Sequence, residues 1–131
     1  MNMYDDVVNR LSQFGYLATV EDADAIKYTI ADTESYVRLF CNIEVIPESL
    51  HHKLVNRVCG VFLMFKKNMG LLNETNFNFE KAEKSIKLGD TSVTYAIGEG
   101  DMTPEQRFDY AIKELMRDFD KNLVLFRRLV W

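Results

Sequence analysis

Three stretches in the first half of the chain carry apolar side chains at the spacing of an amphipathic helix. The first lies within 4–14 and is followed by Gly15, which suits a left-handed C-terminal cap. The second runs over 20–41. The third follows Pro47, a residue that fits a first helical turn because its missing amide would be unpaired there anyway. This third helix is the most apolar, so we expect it at the centre of the fold. The buried stripes are predicted at Tyr4, Val7, Val8, Leu11 and Phe14; at Ile26, Ile30, Thr33, Val37, Phe40 and Cys41; and at Leu50, Leu54, Val55, Val58, Val61, Phe62 and Phe65.

The pattern changes after Gly70, which is placed to end the third helix. Residues 71–79 lose periodicity and are rich in asparagine, which predicts a loop. Residues 84–97 then alternate in polarity around Gly89-Asp90, which predicts a β-hairpin with a two-residue turn. An isolated two-stranded ribbon is marginal in water, so the apolar face of the hairpin must cap the helices or contact a neighbouring subunit. The apolar positions of this face are Ile86, Leu88, Val93, Tyr95 and Ile97.

The best helix start in the chain is at 103–106, where a capping threonine, a first-turn proline and a third-position glutamine follow one another. The apolar stripe continues through Phe108, Ala111, Ile112, Leu115 and Phe119. The residues Asp118, Asp120 and Asn122 indicate that this helix ends near 122, because acids disfavour a helix C-terminus and asparagine often caps one. The predicted fold is therefore mainly α: a four-helix bundle over 1–122 with one β-hairpin inserted before the last helix, and a C-terminal arm over 123–131.

The arm contains seven apolar residues around two arginines and ends in tryptophan. It could extend the last helix and pack Leu123, Phe126 and Val130 on the bundle. Alternatively it could dock on a partner, as an added strand or as a helix in a groove. In the docking hypothesis the arginines contact acidic groups and the tryptophan is an anchor, as these residue types often are at interfaces. We favour docking, through Leu123, Leu125, Phe126, Arg127, Arg128, Leu129, Val130 and Trp131.

Composition narrows the class of protein. A chain of 131 residues with 47% hydrophobic content fits one domain with a true core. The net charge is -4 and both halves are mildly acidic, so no basic face predicts nucleic-acid binding. No apolar run approaches the roughly 20 residues of a membrane span. Acids at Asp5 and Asp6 precede the first apolar block, so we expect no signal peptide and a cytoplasm-like compartment.

Residues that could carry chemistry are few. The neighbours His51 and His52 diverge by about 100° on a helix, so they cannot share a metal and are predicted to be surface histidines. We expect Cys41 and Cys59 to be reduced and buried, since their spacing fits neither a zinc site nor a disulfide framework. No nucleophile elbow, zincin motif or phosphate loop is present. We therefore predict no enzyme activity, cofactor or metal. We interpret the acids Glu105, Asp109 and Glu114 as a solvated helix face beside Arg107, Lys113 and Arg117.

The order of several short segments along the chain is similar to that in a known protein family. The segments are Phe14-Gly15-Tyr16, Phe40-Cys41-Asn42, Ile46-Pro47, Cys59-Gly60, Ser85-Ile86-Lys87, Gly89-Asp90-Thr91-Ser92-Val93-Thr94, Gly98-Glu99-Gly100, Thr103-Pro104-Glu105-Gln106-Arg107-Phe108 and Arg127-Arg128-Leu129-Val130-Trp131. In these segments the chain resembles the head–tail connector (adaptor) proteins of tailed bacteriophages and prophages. The resemblance covers nearly the whole chain, and its most specific parts are the segment from Gly89 and the terminal segment.

The resemblance implies a non-enzymatic virion protein that forms a ring, of twelve subunits in that family, under the portal and continues the DNA channel to the tail. Partners would be the portal protein, identical subunits and a tail-side neck or terminator protein. DNA would pass through without sequence-specific binding, and no membrane would be involved. The protein would be assembled in the bacterial host cytoplasm and lie in the virion neck, or in the collar of a phage-tail-like particle. The portal-contacting region would be 123–131 and the inter-subunit region 84–97. The alternative is a small helical interaction or regulatory module of a prophage that packs its tail in its own core.

Overall fold

The computed structural model describes residues 3–73, 75–89 and 103–130, without the side chains of 87–89 and 128–130. Over these residues the chain forms five α-helices and no β-strand. Short 3-10 turns at Val20–Asp22 and Glu48–Leu50 lead into the second and third helices. The helices are α1 (Met3–Gln13), α2 (Ala23–Cys41), α3 (His51–Asn68), α4 (Phe79–Gly89) and α5 (Pro104–Val130).

The central position predicted for the third helix is confirmed, because α3 packs against α1, α2 and α5. Its Gly60 is buried against α5, and a Cβ built there would lie 3.5 Å from a methyl group of Leu115. A methyl group at this position would make an ordinary van der Waals contact with α5, so the packing of the two helices does not depend on glycine. The resulting main core takes side chains from all five helices. Its largest fully buried members are Phe14, Phe62, Phe108, Leu11, Ile26, Leu63, Ile86 and Ile112.

The helix ends follow the predicted cap chemistry. After α1, Gly15 has φ +93°, and after α3, Gly70 has φ +76°, the left-handed conformation that glycine adopts without strain. At the start of α5 the Thr103 amide donates to the Gln106 side chain at 2.9 Å, and the Gln106 amide donates to the Thr103 hydroxyl at 3.1 Å. The predicted capping box is therefore confirmed.

The prediction of a strand at the start of 84–97 is wrong, because residues 84–89 are part of α4. The helix begins in the stretch predicted to be a loop, where the Lys81 amide donates to the side chain of Asn78 at 3.0 Å and forms an N-cap. Its buried residues Phe79, Ala82 and Ile86 recur at helical spacing. The alternation of polar and apolar residues around Ile86 covers too few residues to outweigh this helical period. The second predicted strand lies in 90–102, outside the described residues.

The prediction that the last helix ends near 122 is also wrong, because α5 continues to Val130. The acids that argued for an end contact the neighbouring helix instead: Asp118 pairs with Lys53 of α3 at 2.9 Å, and Asp120 pairs with Arg57 at 3.1 Å. Asn122 is not a cap, and its side-chain amide donates to the Asp118 carbonyl at 2.9 Å. Cross-helix cations thus offset the unfavourable position of these acids.

Candidate assembly surface at the end of the last helix

The last turns of α5 are partly core and partly surface. Leu123, predicted to belong to a docking arm, is 1% exposed. It belongs to a second, smaller cluster beside the ends of α2 and the start of α3, against which Phe126 is partly buried. This second cluster consists of Val37, Cys41, Leu50, Leu54, Phe119 and Leu123. Leu123 and Phe126 therefore follow the alternative prediction, in which the tail extends the last helix and packs on the bundle.

The next two residues face outward. Val124 is 39% exposed and Leu125 is 57% exposed. At the same end of the bundle, Leu39 near the end of α2 is 83% exposed, and Val45 in the α2–α3 connection is 80% exposed. We call these four exposed side chains, which lie at one end of the bundle, the apolar end surface. A contiguous exposed apolar patch is typical of a surface that binds another protein.

One basic residue of the predicted arm borders this surface. The guanidinium carbon of Arg127 lies 5.2 Å from the ring centroid of Phe40, within the range of a cation–π contact. This contact links the last turns of α5 to the end of α2. The helical backbone continues through Arg128, Leu129 and Val130, whose side chains lie outside the description, as does Trp131.

Of the five residues predicted to contact neighbouring subunits, the structure describes the side chain of Ile86 alone. Ile86 is 1% exposed and belongs to the main core. Leu88 lies on α4, and its side chain is not described. Val93, Tyr95 and Ile97 lie in 90–102, outside the described residues.

A polar cluster that the periodicity of the sequence did not predict lies where α2, α3 and α5 meet. The Tyr36 hydroxyl of α2 donates to Asp120 of α5 at 3.2 Å, and Arg57 of α3 donates to the same oxygen at 3.1 Å. The Arg57 guanidinium also lies over the rings of Tyr36 and Phe119, at 5.2 and 5.0 Å. Burial first, and then the Asp120 carboxylate, raise the pKa of the Tyr36 hydroxyl. Three helices therefore meet at one arginine.

The acids of α5 predicted to form a solvated face have different roles. Glu114 does pair with Arg117 on the same helix, at 3.1 Å. By contrast, Glu105 and Asp109 both contact Lys67 of α3, at 3.2 and 2.6 Å. The interpretation of a purely solvated face is therefore wrong for these two residues. A sequence signal existed in the adjacent lysines Lys66 and Lys67 at the end of α3, which offer positive charge to acids of another helix.

The groove between α1 and α3 is the place where a histidine and a carboxylate meet. His51 Nε2 lies 2.6 Å from Asp6 Oδ2, and Arg10 donates to the Asn56 side chain at 2.8 Å. The prediction that both histidines are surface residues is wrong for His51, which is half-buried, whereas His52 is exposed. The described residues that line this cleft of about 400 Å³ include no hydroxyl or thiol side chain. The arrangement thus pairs an imidazole with a carboxylate, and the described lining adds no hydroxyl or thiol nucleophile to them.

Both cysteines are free and buried, as predicted. The Cys59 thiol donates to the Val7 carbonyl at 3.6 Å, and burial raises its pKa to about 12. Because the thiolate is the reactive form, this side chain is chemically inert at neutral pH. Burial likewise raises the pKa of the Cys41 thiol, although Arg127 opposes the change. The two cysteines act as small apolar residues of the two clusters.

The described part of the chain contains no group of three or more histidine, cysteine, aspartate or glutamate side chains positioned to hold a metal ion. None of its helices combines the length and the apolar character that crossing a bilayer requires. Comparison of the chain with protein-family models, with curated proteins and with solved structures gave no match.

Proposed function

We propose that this chain is a head–tail adaptor, a structural subunit of a phage neck or of the collar of a phage-tail-like particle. It binds the portal through the last turns of α5, associates with identical subunits in a ring, and continues the DNA channel to a tail-side protein. The observation that carries the proposal is the apolar end surface of Leu39, Val45, Val124 and Leu125. An apolar surface at one end of a helical bundle suits a subunit that acts by assembly.

The proposal changes the roles within 123–131. Leu123 and Phe126 anchor the end of α5 on its own bundle, so the binding energy must come from residues that face outward. Those are Val124 and Leu125, with Arg127 at the border and the terminal residues beyond it. A rigid, pre-formed helix end binds with a smaller entropic cost than a disordered arm, because its backbone is already ordered.

The second candidate is a small interaction or regulatory module that folds alone with its tail in its own core. The burial of Leu123 and the partial burial of Phe126 favour it. The two candidates differ at Leu125, which is a binding residue in the adaptor and a solvent-exposed residue in the module.

The test is to produce the chain together with the portal protein encoded in the same phage or prophage genome. We expect a complex on size-exclusion chromatography, and a ring beneath the portal by cryo-electron microscopy. Leu125→Asp should weaken this complex at least about tenfold, since it would bury a charge in an apolar contact. Circular dichroism of the isolated variant should be unchanged, because the side chain is 57% exposed.

The matched control is Leu17→Asp, which introduces the same change at a leucine 77% exposed in the α1–α2 connection. We expect this variant to bind the portal normally. Absence of a complex with the wild-type chain would reject the adaptor proposal. Normal portal binding by Leu125→Asp would reject the assignment of the binding surface and favour the independent module.

A further inference from the structure

Arg10 of α1 is held by uncharged groups. Its Nε donates to the Asn56 side chain of α3 at 2.8 Å, and its Nη1 donates to the Gln13 side chain at 2.5 Å. The guanidinium carbon lies 4.4 Å from the ring centroid of Phe14. Four other arginines instead pair with carboxylates: Arg38 with Glu34, Arg57 with Asp120, Arg107 with Glu83 and Arg117 with Glu114.

The charge of Arg10 therefore lacks a counter-charge. The side chain is half-buried, and no carboxylate in the described part of the chain forms an ion pair with it. Burial lowers the pKa of the guanidinium, and Cys59 opposes this change. Removing a charge from water without a counter-ion costs free energy, and an anion bound beside the guanidinium would offset that cost.

Arg10 also has hydrogen-bond donors to spare. A guanidinium carries five N–H groups in a planar fork. Asn56 and Gln13 accept from two of them, which leaves three without a partner among the described residues. The two amides hold the fork from α3 and from α1, so its orientation is set before a ligand arrives. Such a fork matches the paired oxygens of a carboxylate or a phosphate.

The cleft between α1 and α3 provides room for a ligand at this fork. Its volume of about 400 Å³ lies within the range of small-molecule sites. Its lining includes the exposed side chains of Asn9 and His52 and the half-buried side chain of Asn56. The amide nitrogen of Asn56 makes no hydrogen bond within the described residues. Three further side chains can thus donate to an anion next to Arg10.

The described lining of this cleft also contains one carboxylate, Asp6. Its Oδ2 lies 2.6 Å from His51 Nε2, and no ion pair joins it to Arg10, one helical turn further along α1. The contact with His51 directs the Asp6 carboxylate toward α3. The guanidinium is therefore left available to a ligand.

We propose that the cleft between α1 and α3 binds a small molecule through its carboxylate or phosphate group, which Arg10 holds with its unused N–H groups. Asn9, His52 and Asn56 donate to the same group or to polar atoms beside it. The site uses no residue of the apolar end surface, and the proposal does not rest on the adaptor function.

The test is an NMR titration of the ¹⁵N-labelled full chain with sodium phosphate and, separately, with sodium acetate. Sodium chloride holds the ionic strength constant in both series. We expect saturable shifts of the Arg10 Nε–H resonance and of backbone amides along the cleft, with a dissociation constant of roughly 1–10 mM. Binding of either anion supports the site, and the tighter of the two identifies the group that the site prefers.

Two substitutions test the role of Arg10. Asn56→Asp keeps the shape of the side chain and places a carboxylate against the Arg10 guanidinium, so the missing counter-charge is supplied from within the chain. It should weaken anion binding at least about tenfold and raise the melting temperature. Arg10→Gln removes the fork and should weaken binding to a similar extent. Because Asn56→Asp retains the contact between α1 and α3, the test does not depend on how well Arg10→Gln folds.

The matched controls carry the same changes outside the cleft. Asn68→Asp alters an exposed residue at the end of α3, and Arg117→Gln alters an arginine of α5 whose side chain is 64% exposed. Both should bind the anion like the wild type. The proposal is overturned if neither anion gives saturable shifts, or if Asn56→Asp binds as tightly as the wild type. Portal binding is a separate measurement, so either proposal can fail without the other.

Discussion

The two apolar clusters of the bundle differ in size and in the polar groups that lie beside them. Among the described residues, the main core joins eighteen buried residues from the five helices and their connections, whereas the second cluster joins six. The main core is closed at the α2 start by buried Asp22 and its partners. The second cluster lies beneath the apolar end surface, where Leu39 and Leu125 face solvent. The two ends thus differ in their polar contacts, since Asp22 is buried at one end and the Asp120 side chain is 51% exposed at the other. Exposed apolar residues do not distinguish them, because Leu17 and Val20 near Asp22 are 77% and 92% exposed.

The largest effect is expected in the main core, at Phe108. This ring is fully buried and lies 5.7 Å from the centroid of Phe77 and 5.2 Å from that of Phe79, so it fastens the start of α5 to the start of α4. Phe108→Ala should lower the free energy of unfolding by about 4 kcal/mol. Urea denaturation followed by circular dichroism measures this change.

The control for Phe108 is Phe65→Ala, which removes a ring that is 48% exposed at the end of α3. We expect this control to cost about 1 kcal/mol or less. Equal losses from the two substitutions would mean that the aromatic group of Phe77, Phe79 and Phe108 does not hold α4 against α5 in solution.

An intermediate effect is expected in the second cluster. Leu123→Ala should lower the free energy of unfolding by about 2.5 kcal/mol, because it leaves a cavity beside Leu54 and Phe119. Leu125→Ala, two residues further on, should cost about 0.5 kcal/mol or less. The comparison uses single substitutions because a deletion of 123–131 would remove core and surface together.

A small loss from Leu123→Ala, similar to that from Leu125→Ala, would contradict the packing of α5 beyond residue 122. It would indicate instead that residues 123–131 form an arm detached from the bundle, as the sequence predicted. Thermal unfolding monitored at several protein concentrations would exclude an effect of self-association on this measurement.

Long periodic segments and cap residues predicted much of this fold. The stripes of α1, α2 and α3 are local patterns, and Gly15, Gly70 and Thr103 signal helix ends through chemistry that involves only near neighbours. The central role of α3 also followed, since a helix apolar on several sides must be surrounded.

The two wrong predictions of secondary structure share a physical cause, because both depended on partners distant in sequence. The acids at 118 and 120 are poor residues for a continuing helix until Lys53 and Arg57 of α3 neutralise them. The start of α4 is defined by Phe79 packing on Phe108 of α5, which no local pattern shows. In the candidate site, the apolar character of 123–131 was visible. The division into inward Leu123 and outward Leu125 required knowledge of the helical phase.

The smallest of the three effects on stability is expected at Asp22, the buried carboxylate at the start of α2. Burial alone would raise the pKa of this carboxyl, but three donors outweigh it and hold its pKa below the ordinary 3.8. They are the Thr19 amide at 3.0 Å, the Tyr16 hydroxyl at 2.7 Å and the Lys66 ammonium at 2.9 Å. Asp22→Asn should lower the free energy of unfolding by about 2 kcal/mol at neutral pH.

The pH dependence of this loss of stability shows whether Asp22 stabilises the fold through its negative charge or through packing alone. The folded-state pKa of Asp22 is below its unfolded value, so its stabilisation is fully present above the unfolded value and is lost as pH falls through the folded one. The difference between wild type and Asp22→Asn should therefore shrink below about pH 4. Glu21→Gln, the same loss of charge at the preceding exposed residue, should give a much smaller difference at every pH. A difference for Asp22→Asn that is constant from neutral to acidic pH would show that the side chain contributes shape and hydrogen bonds.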